Sequence, residues 1–347
     1  MSDISTSPRA TEACRLSAPS LAVVVDTEEE FDWSKPHSRA ETKVEHIKHL
    51  TRAQSIFERY SVRPTYVVDY PVASQEAGYR PLREWLDDGR CEIGAHLHPW
   101  VNPPFDEEVC ARNSYPGNLP PALEKAKLAR LTAMIEEKFG RRPTSYRAGR
   151  YGVGAASASI LEELGYDVDT SVVPFTDFGG DGGPNFTAFD LVPFWTGPAA
   201  RVLEIPLTVA WCGSLSEQGR RLGPWLMSPL ALRMHVPGVF ARLRLLERIR
   251  LTPEGITFDE LKRLVDMLLA AGEKLFVFSY HSPTVVPGNT PYVRSAAELE
   301  DFLSLIERFC DHFFGRCGGE PTTLTTLRAA ASSSGTEGRA RYRPLLT

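Results

Sequence analysis

Apolar residues recur along this chain in short, β-branched blocks separated by longer stretches with helical spacing. LAVVV at 21–25 is the first block, and residues 39–60 follow with apolar positions three and four apart, which predicts a strand and then a helix. The alternation repeats. Strands are predicted at 64–69, 90–96, 143–147, 165–172, 201–208 and 273–281. Helices are predicted at 81–89 (opened by Pro81 and stopped by Gly89), 122–139 and 154–164. Thr257 with Glu260 forms a capping-box pattern for a helix to about 271, and Ser295 with Glu298 starts another to about 314. Such alternation is α/β bookkeeping. No GxGxxG or GxxxxGK[ST] follows the first strand, so an irregular (β/α) barrel of six or seven strands is expected rather than a dinucleotide or P-loop fold.

The pattern divides the chain into a polar leader at 1–19, one barrel domain at 20–325 and a polar tail at 326–347, expected to be flexible and disordered respectively. One stretch inside the barrel breaks the alternation. Residues 223–251, within an insertion at about 212–252, carry Arg233, Arg242, Arg244, Arg248 and Arg250 among Leu, Val, Phe and Ile. A basic amphipathic helix of this kind can rest on an anionic membrane or close over a substrate. It can equally be a surface helix whose arginine stems cover apolar neighbours.

Composition narrows the field further. A 42% hydrophobic content in 347 residues supports one large core, and a net charge of -5 supplies no basic field, which argues against nucleic-acid binding. Cys14, Cys91, Cys110, Cys212, Cys310 and Cys317 lie far apart without CxxC pairs, as expected for reduced, packed thiols. The first residues lack the apolar core of a secretory signal and no apolar run is long enough to span a bilayer, so a cytoplasmic protein is expected.

The chemistry gathers where the apolar blocks end. Asp26, His96, Arg147, Asp169 and His281 each stand just past a predicted strand, and in a parallel barrel the C-terminal strand ends form the catalytic face. Asp26 and Glu28 are two apart in VVDTEEEFDW, so extended backbone projects both carboxylates to one side, one to bind a cation and the other to take a proton from water. By the same alternation Glu29 points the other way, and Glu29 and Glu30 read as solvated acids. His96 and His98 in GAHLHPW share a side as well. Two neutral imidazoles and a carboxylate make a three-ligand divalent site with open positions, which zinc suits and cobalt, manganese or nickel can also fill. His281 ends the most apolar late strand and is placed as a general acid. His37, His46, His49, His235 and His312 fall in helical or loop contexts and receive no chemical role.

Over about 21–314 these motifs resemble the polysaccharide deacetylases, the NodB-homology carbohydrate esterases, whose fold is a distorted (β/α) barrel of about seven strands. The resemblance implies that Asp26 of VDTE is the base and Glu28 the metal ligand, where the usual motif has adjacent aspartates. It implies that His96 and His98 of HLHP are ligands, although the family usually spaces them four apart. YRAGRYG matches the arginine motif, so Arg147 or Arg150 would orient the base and the Tyr151 region would offer a backbone N–H to the oxyanion. Asp169 in VDTS stands for the family's next aspartate, without its tryptophan, and SYH supplies His281 as the acid. Trp33, Trp100 and Tyr292 adjoin the motifs and are candidates to stack on a sugar. The implied reaction is metal-dependent removal of an acetyl group from an N-acetylated sugar or sugar-containing intermediate. Two alternatives stay open: a non-sugar amide hydrolase of the allantoinase-like branch, and a catalytically silent carbohydrate-binding or regulatory barrel.

Overall fold

The structure is a computed structural model, which describes Cys14 and residues 16–333. Its centre is a curled sheet. Strands β1 (Ser20–Thr27), β2 (Thr65–Val68), β3 (Glu92–Leu97), β4 (Ser145–Ala148), β5 (Val168–Asp169), β6 (Phe194–Thr196) and β7 (Val202–Glu204) are followed by a two-stranded antiparallel ribbon, β8 (Val209–Cys212) and β9 (Glu247–Arg250). After the ribbon come β10 (Leu275–His281) and a short β11 (Glu320–Pro321) beside β1. Seven strands run parallel in the order β10-β1-β2-β3-β4-β5-β7, and β6 adds an antiparallel edge. The expected distorted (β/α) barrel of about seven strands is what the chain forms.

Helices α1 (Thr51–Arg59), α2 (Tyr70–Ser74), α3 (Glu76–Asp87), α4 (Pro121–Phe139) and α5 (Ser157–Glu163) connect the first strands. Helix α3 begins a turn earlier than expected, leaving Pro81 inside it. After the ribbon, α9 (Phe258–Ala270) and α10 (Ala296–Cys310) complete the outer layer, entered through Thr257 and Ser295 as the capping patterns predict. The three short helices α6 (Gly219–Leu226), α7 (Pro229–Arg233) and α8 (Val236–Arg242) lie between β8 and β9. The single long helix expected over 223–251 is therefore not formed. Pro229, Pro237 and Gly238 interrupt it, and Arg248 and Arg250 belong to strand β9 instead.

Strand β1 shows how the two faces are filled. Leu21, Val23 and Val25 join the large core between sheet and helices, while Ala22 and Val24 join a second cluster inside the barrel. Asp26 is next on that inner face. Helix α11 (Leu324–Ser333) brings Leu324, Leu327 and Ala331 to the inner cluster, so the base of the barrel is plugged by apolar side chains. The expected disordered tail thus starts as a packed helix, and residues 334–347 and most of the leader lie outside the described residues. Between β7 and β10 the ribbon bridges the gap: the Val277 N–H donates to Thr208 Oγ1 (2.8 Å) and the Ser279 N–H to the Leu251 carbonyl (3.2 Å).

Candidate active site

Parallel register brings the strand-end residues to one mouth. Asp26 pairs with His281 across β1 and β10, and His96 with Arg147 across β3 and β4. Glu28 follows β1, and His98 follows β3 with extended backbone (φ -96°, ψ 104°), so the one-residue spacing of the histidines is absorbed without a turn. His96 Nε2 is 3.5 Å and His98 Nε2 3.4 Å from Glu28 Oε2. These three ligand atoms lie within 4.8 Å of one another and all three side chains are buried.

The residues present fit a divalent cation. Ligands about 2.1 Å from a tetrahedral cation stand roughly 3.4 Å apart, the spacing found here. His96 Nδ1 is 2.9 Å from the Arg147 carbonyl and His98 Nδ1 2.8 Å from Glu29 Oε2. Each Nδ1–H donates there, which leaves each Nε2 lone pair directed at Glu28. Burial pushes His96 down to about 3 and His98 to about 4, so both rings are neutral at pH 7. Glu28 Oε1 is buried without a hydrogen-bond partner. Burial, followed by the neighbouring carboxylates Glu29, Asp26 and Asp69, drives the Glu28 carboxyl well above its ordinary range. A bound cation would reverse that penalty.

Glu29 corrects the reading of the acidic run. It does face away from Glu28, but toward the interior rather than solvent. Its carboxylate accepts from His98 Nδ1 and from the Trp100 indole N–H at 2.7 Å, and its own N–H donates to Asp69 Oδ2 at 2.7 Å. Trp100 is consequently buried, stacked on His98 (4.2 Å between centroids) and His37 (4.1 Å), so it cannot offer a face to a sugar. His46, assigned no chemistry from its context, is also structural support: its ring meets Ser282 Oγ at 2.7 Å, and that hydroxyl receives the Glu28 N–H at 3.3 Å.

Asp26 is the second centre. Burial alone would raise its carboxyl, but the Arg147 guanidinium, at 2.5 Å from Oδ1, together with His96 and His281, holds it below the usual carboxylate range. Arg147 is itself fixed by the Thr170 carbonyl (2.9 Å). Of the two candidate arginines, then, Arg147 contacts Asp26. Arg150 points to Ser114 Oγ (2.6 Å) and Asp181 and lies over Tyr115. Asp169 does not reach Asp26. It pairs with Glu204 across β5 and β7, accepts from Ser171 Oγ at 2.5 Å, and lies behind Arg147, whose charge it faces. Tyr151 donates to Asp26 Oδ2 at 3.3 Å and receives a hydrogen bond from Arg250.

His281 completes the mouth, with Nε2 3.7 Å from Asp26 Oδ2. Glu254 receives both its Nδ1–H (2.8 Å) and its backbone N–H (3.0 Å) and is anchored by Thr284 Oγ1 (2.6 Å). Burial, the largest influence, works to lower the imidazole, yet Glu254 together with Asp26 outweighs it and the group titrates above its ordinary value. Neither Glu254 nor Arg250 has a sequence signature. Glu254 sits in a loop ahead of α9, and the Arg250 segment reads as helix.

Above these groups opens a cavity of about 660 Å³ walled by Phe31, Trp33, Tyr151, Phe178 and Tyr292, with Glu28 and His281 at its floor. Trp33 meets His281 edge-on (5.0 Å) and Tyr292 at 5.8 Å, so two of the three aromatic candidates do border the mouth. A larger hollow beside α9 lacks these groups and is not associated with the strand ends.

Together these features define an α/β barrel with a polar mouth able to hold a cation, of the architecture found in NodB-homology proteins. Among solved structures the chain is similar to a polysaccharide deacetylase from Mycobacterium smegmatis, at 15% identity and TM-score 0.52 over 95% of this chain and 97% of that one. It is similar to a polysaccharide deacetylase from Pseudomonas aeruginosa PAO1 (16%, TM-score 0.53, 94% of each chain) and to PuuE allantoinase (16%, TM-score 0.55, 95% of each). At such identities the likeness is one of fold. No family model and no curated protein sequence matches the chain.

Proposed function

We propose that this protein is a metal-dependent hydrolase that removes an acetyl group from an N-acetylated sugar or sugar-containing intermediate. The observation that carries the reading is the convergence of His96 Nε2 and His98 Nε2 on Glu28 beside an ionised Asp26 and a carboxylate-backed His281. Glu28, His96 and His98 would hold the cation, zinc by ligand type, with cobalt, manganese and nickel as other candidates. When bound, it supplies acidification of water and polarisation of a carbonyl oxygen.

The side chains divide the proton work. Asp26, kept ionised and aimed by Arg147 and Tyr151, accepts the proton of the attacking water. His281, whose hold on its proton is strengthened by Glu254, gives its Nε2 proton to the departing nitrogen. Two carboxyl-linked groups 3.7 Å apart, shifted in opposite directions, suit the base and acid steps of amide hydrolysis. Trp33 and Tyr292 would cover the apolar face of a sugar ring at the mouth. The fold is shared with an allantoinase as well as with deacetylases, so the acyl class is read from the site and the choice of sugar from these aromatics.

The test is acetate release from a panel of N-acetylated amino sugars after reconstitution with zinc, cobalt, manganese or nickel. Release by the wild type, reduced roughly 10²–10⁴-fold in Asp26→Asn, supports the reading. Release unchanged in Asp26→Asn, or absent with every metal and sugar, refutes it.

A further inference from the structure

Between β8 and β9, the segment 219–246 contains Arg220, Arg221, Arg233, Arg242 and Arg244 and no aspartate or glutamate, in a chain whose net charge is -5. Arg221, Arg233, Arg242 and Arg244 are exposed and have no carboxylate within ion-pair distance among the described residues. Apolar side chains stand out from the same short helices: Trp225 is 54% exposed, Leu230 68%, Met234 65% and Leu243 63%, with Leu232 and Val239 about half exposed. Those six account for most of the eight large apolar side chains exposed among the described residues. They do not result from poor packing, because Trp211, Leu226 and Leu246 form a buried cluster beneath them.

We propose that this segment is a membrane-surface anchor that docks on a bilayer containing anionic lipid. A polar rim of unpaired arginines around protruding Trp, Leu and Met matches that surface in both respects: apolar tips enter the acyl boundary while guanidinium groups meet phosphate. No helix of the described residues is long and apolar enough to cross a bilayer. The anchor is joined to the catalytic mouth by the short ribbon β8–β9, at the inner end of which Arg250 donates to Tyr151. It also borders loop 175–187 across a groove of about 410 Å³ lined by Asp177, Gly180, Pro224 and Leu232, while Phe178 and Asp181 of that loop line the catalytic cavity. Docking would therefore set the mouth beside the lipid surface.

The experiment is flotation of the full chain with vesicles of phosphatidylcholine alone or of equal parts phosphatidylcholine and phosphatidylglycerol. It reads binding, so its outcome is independent of the hydrolytic reading. Flotation is expected with the anionic vesicles only, weakening at high salt. Replacing Arg221, Arg233 and Arg242 by Gln should cut the partition coefficient roughly fivefold per arginine. The variant Trp225→Ser/Leu230→Ser/Met234→Ser should abolish flotation at every salt concentration. Circular dichroism identifies a misfolded variant, and the charge series and the apolar series each test the proposal alone. Absence of flotation with anionic vesicles, flotation indifferent to both series, or a stable dimer by sedimentation that the Ser variant dissociates would overturn it.

Discussion

At the scale of single residues, the mouth works by separating the charge states of neighbouring groups. Arg147 lies against Asp26 and Glu254 against His281, so an acid and an imidazole 3.7 Å apart are pushed in opposite directions. Replacing Glu254 by Gln leaves burial as the dominant influence on His281, and the imidazole should then titrate lower than in the wild type. The basic limb of the pH profile of kcat/KM is expected to move to lower pH, with the acidic limb unmoved. Its sign in stability is also defined: a raised imidazole contributes below its unfolded value of about 6.5 and loses that contribution as pH rises through the folded value. Unfolding by urea at pH 5.5 and 8.5 should therefore show the difference between wild type and Glu254→Gln at the lower pH. Asp26, His96, Arg147, Asp169 and His281 are visible in the sequence as polar residues ending apolar blocks, and Glu28 and His98 by standing two residues beyond Asp26 and His96. Glu254 is not, because a loop carboxylate reaches His281 only through the three-dimensional path of the ribbon.

At the scale of elements, the turn after β4 packs against the strand end that carries His96 and His98. Gly149 lies against β3 so closely that a Cβ would stand 2.4 Å from the Leu97 carbonyl oxygen and 2.5 Å from His98 Cδ2. Arg150 and Tyr151 then take left-handed backbone (φ 54° and 59°), a cost the packing of both side chains sustains. Gly149→Ala should displace His98 and lower zinc affinity roughly 10–100-fold, as changes that misdirect a ligand do, with circular dichroism unchanged. A calorimetric titration with zinc checks this. In sequence YRAGRYG is legible as the arginine motif, but the contact of Gly149 with His98 depends on β3 and β4 being neighbours. The same dependence explains Glu29: alternation gives its direction correctly, but whether that direction is solvent or interior is decided by Trp100 and Asp69.

For the whole molecule, the plugged base and the open mouth of the barrel follow from one sheet whose inner face changes from apolar to charged along β1. Leu327 sits in the inner cluster with Val24 and Val277, and Leu327→Ala should cost about 2–5 kcal/mol in urea unfolding while leaving zinc affinity unchanged. The strand-helix alternation made the barrel legible. The three-helix insertion and the packed helix at 324–333 are less so, because Pro229 and Pro237 start new helices inside an apolar, basic run, and the few apolar residues after 323 stand in a polar-looking tail. The central claim is the proposal that Glu28, His96 and His98 hold a cation. Its most direct measurement is the zinc content of the chelated and reloaded protein beside that of His96→Ala and Glu28→Gln. One zinc per wild-type chain, lost in both variants and retained in Asp26→Asn, is the predicted result. A wild type that takes up no divalent metal, or variants that bind as the wild type does, would contradict it.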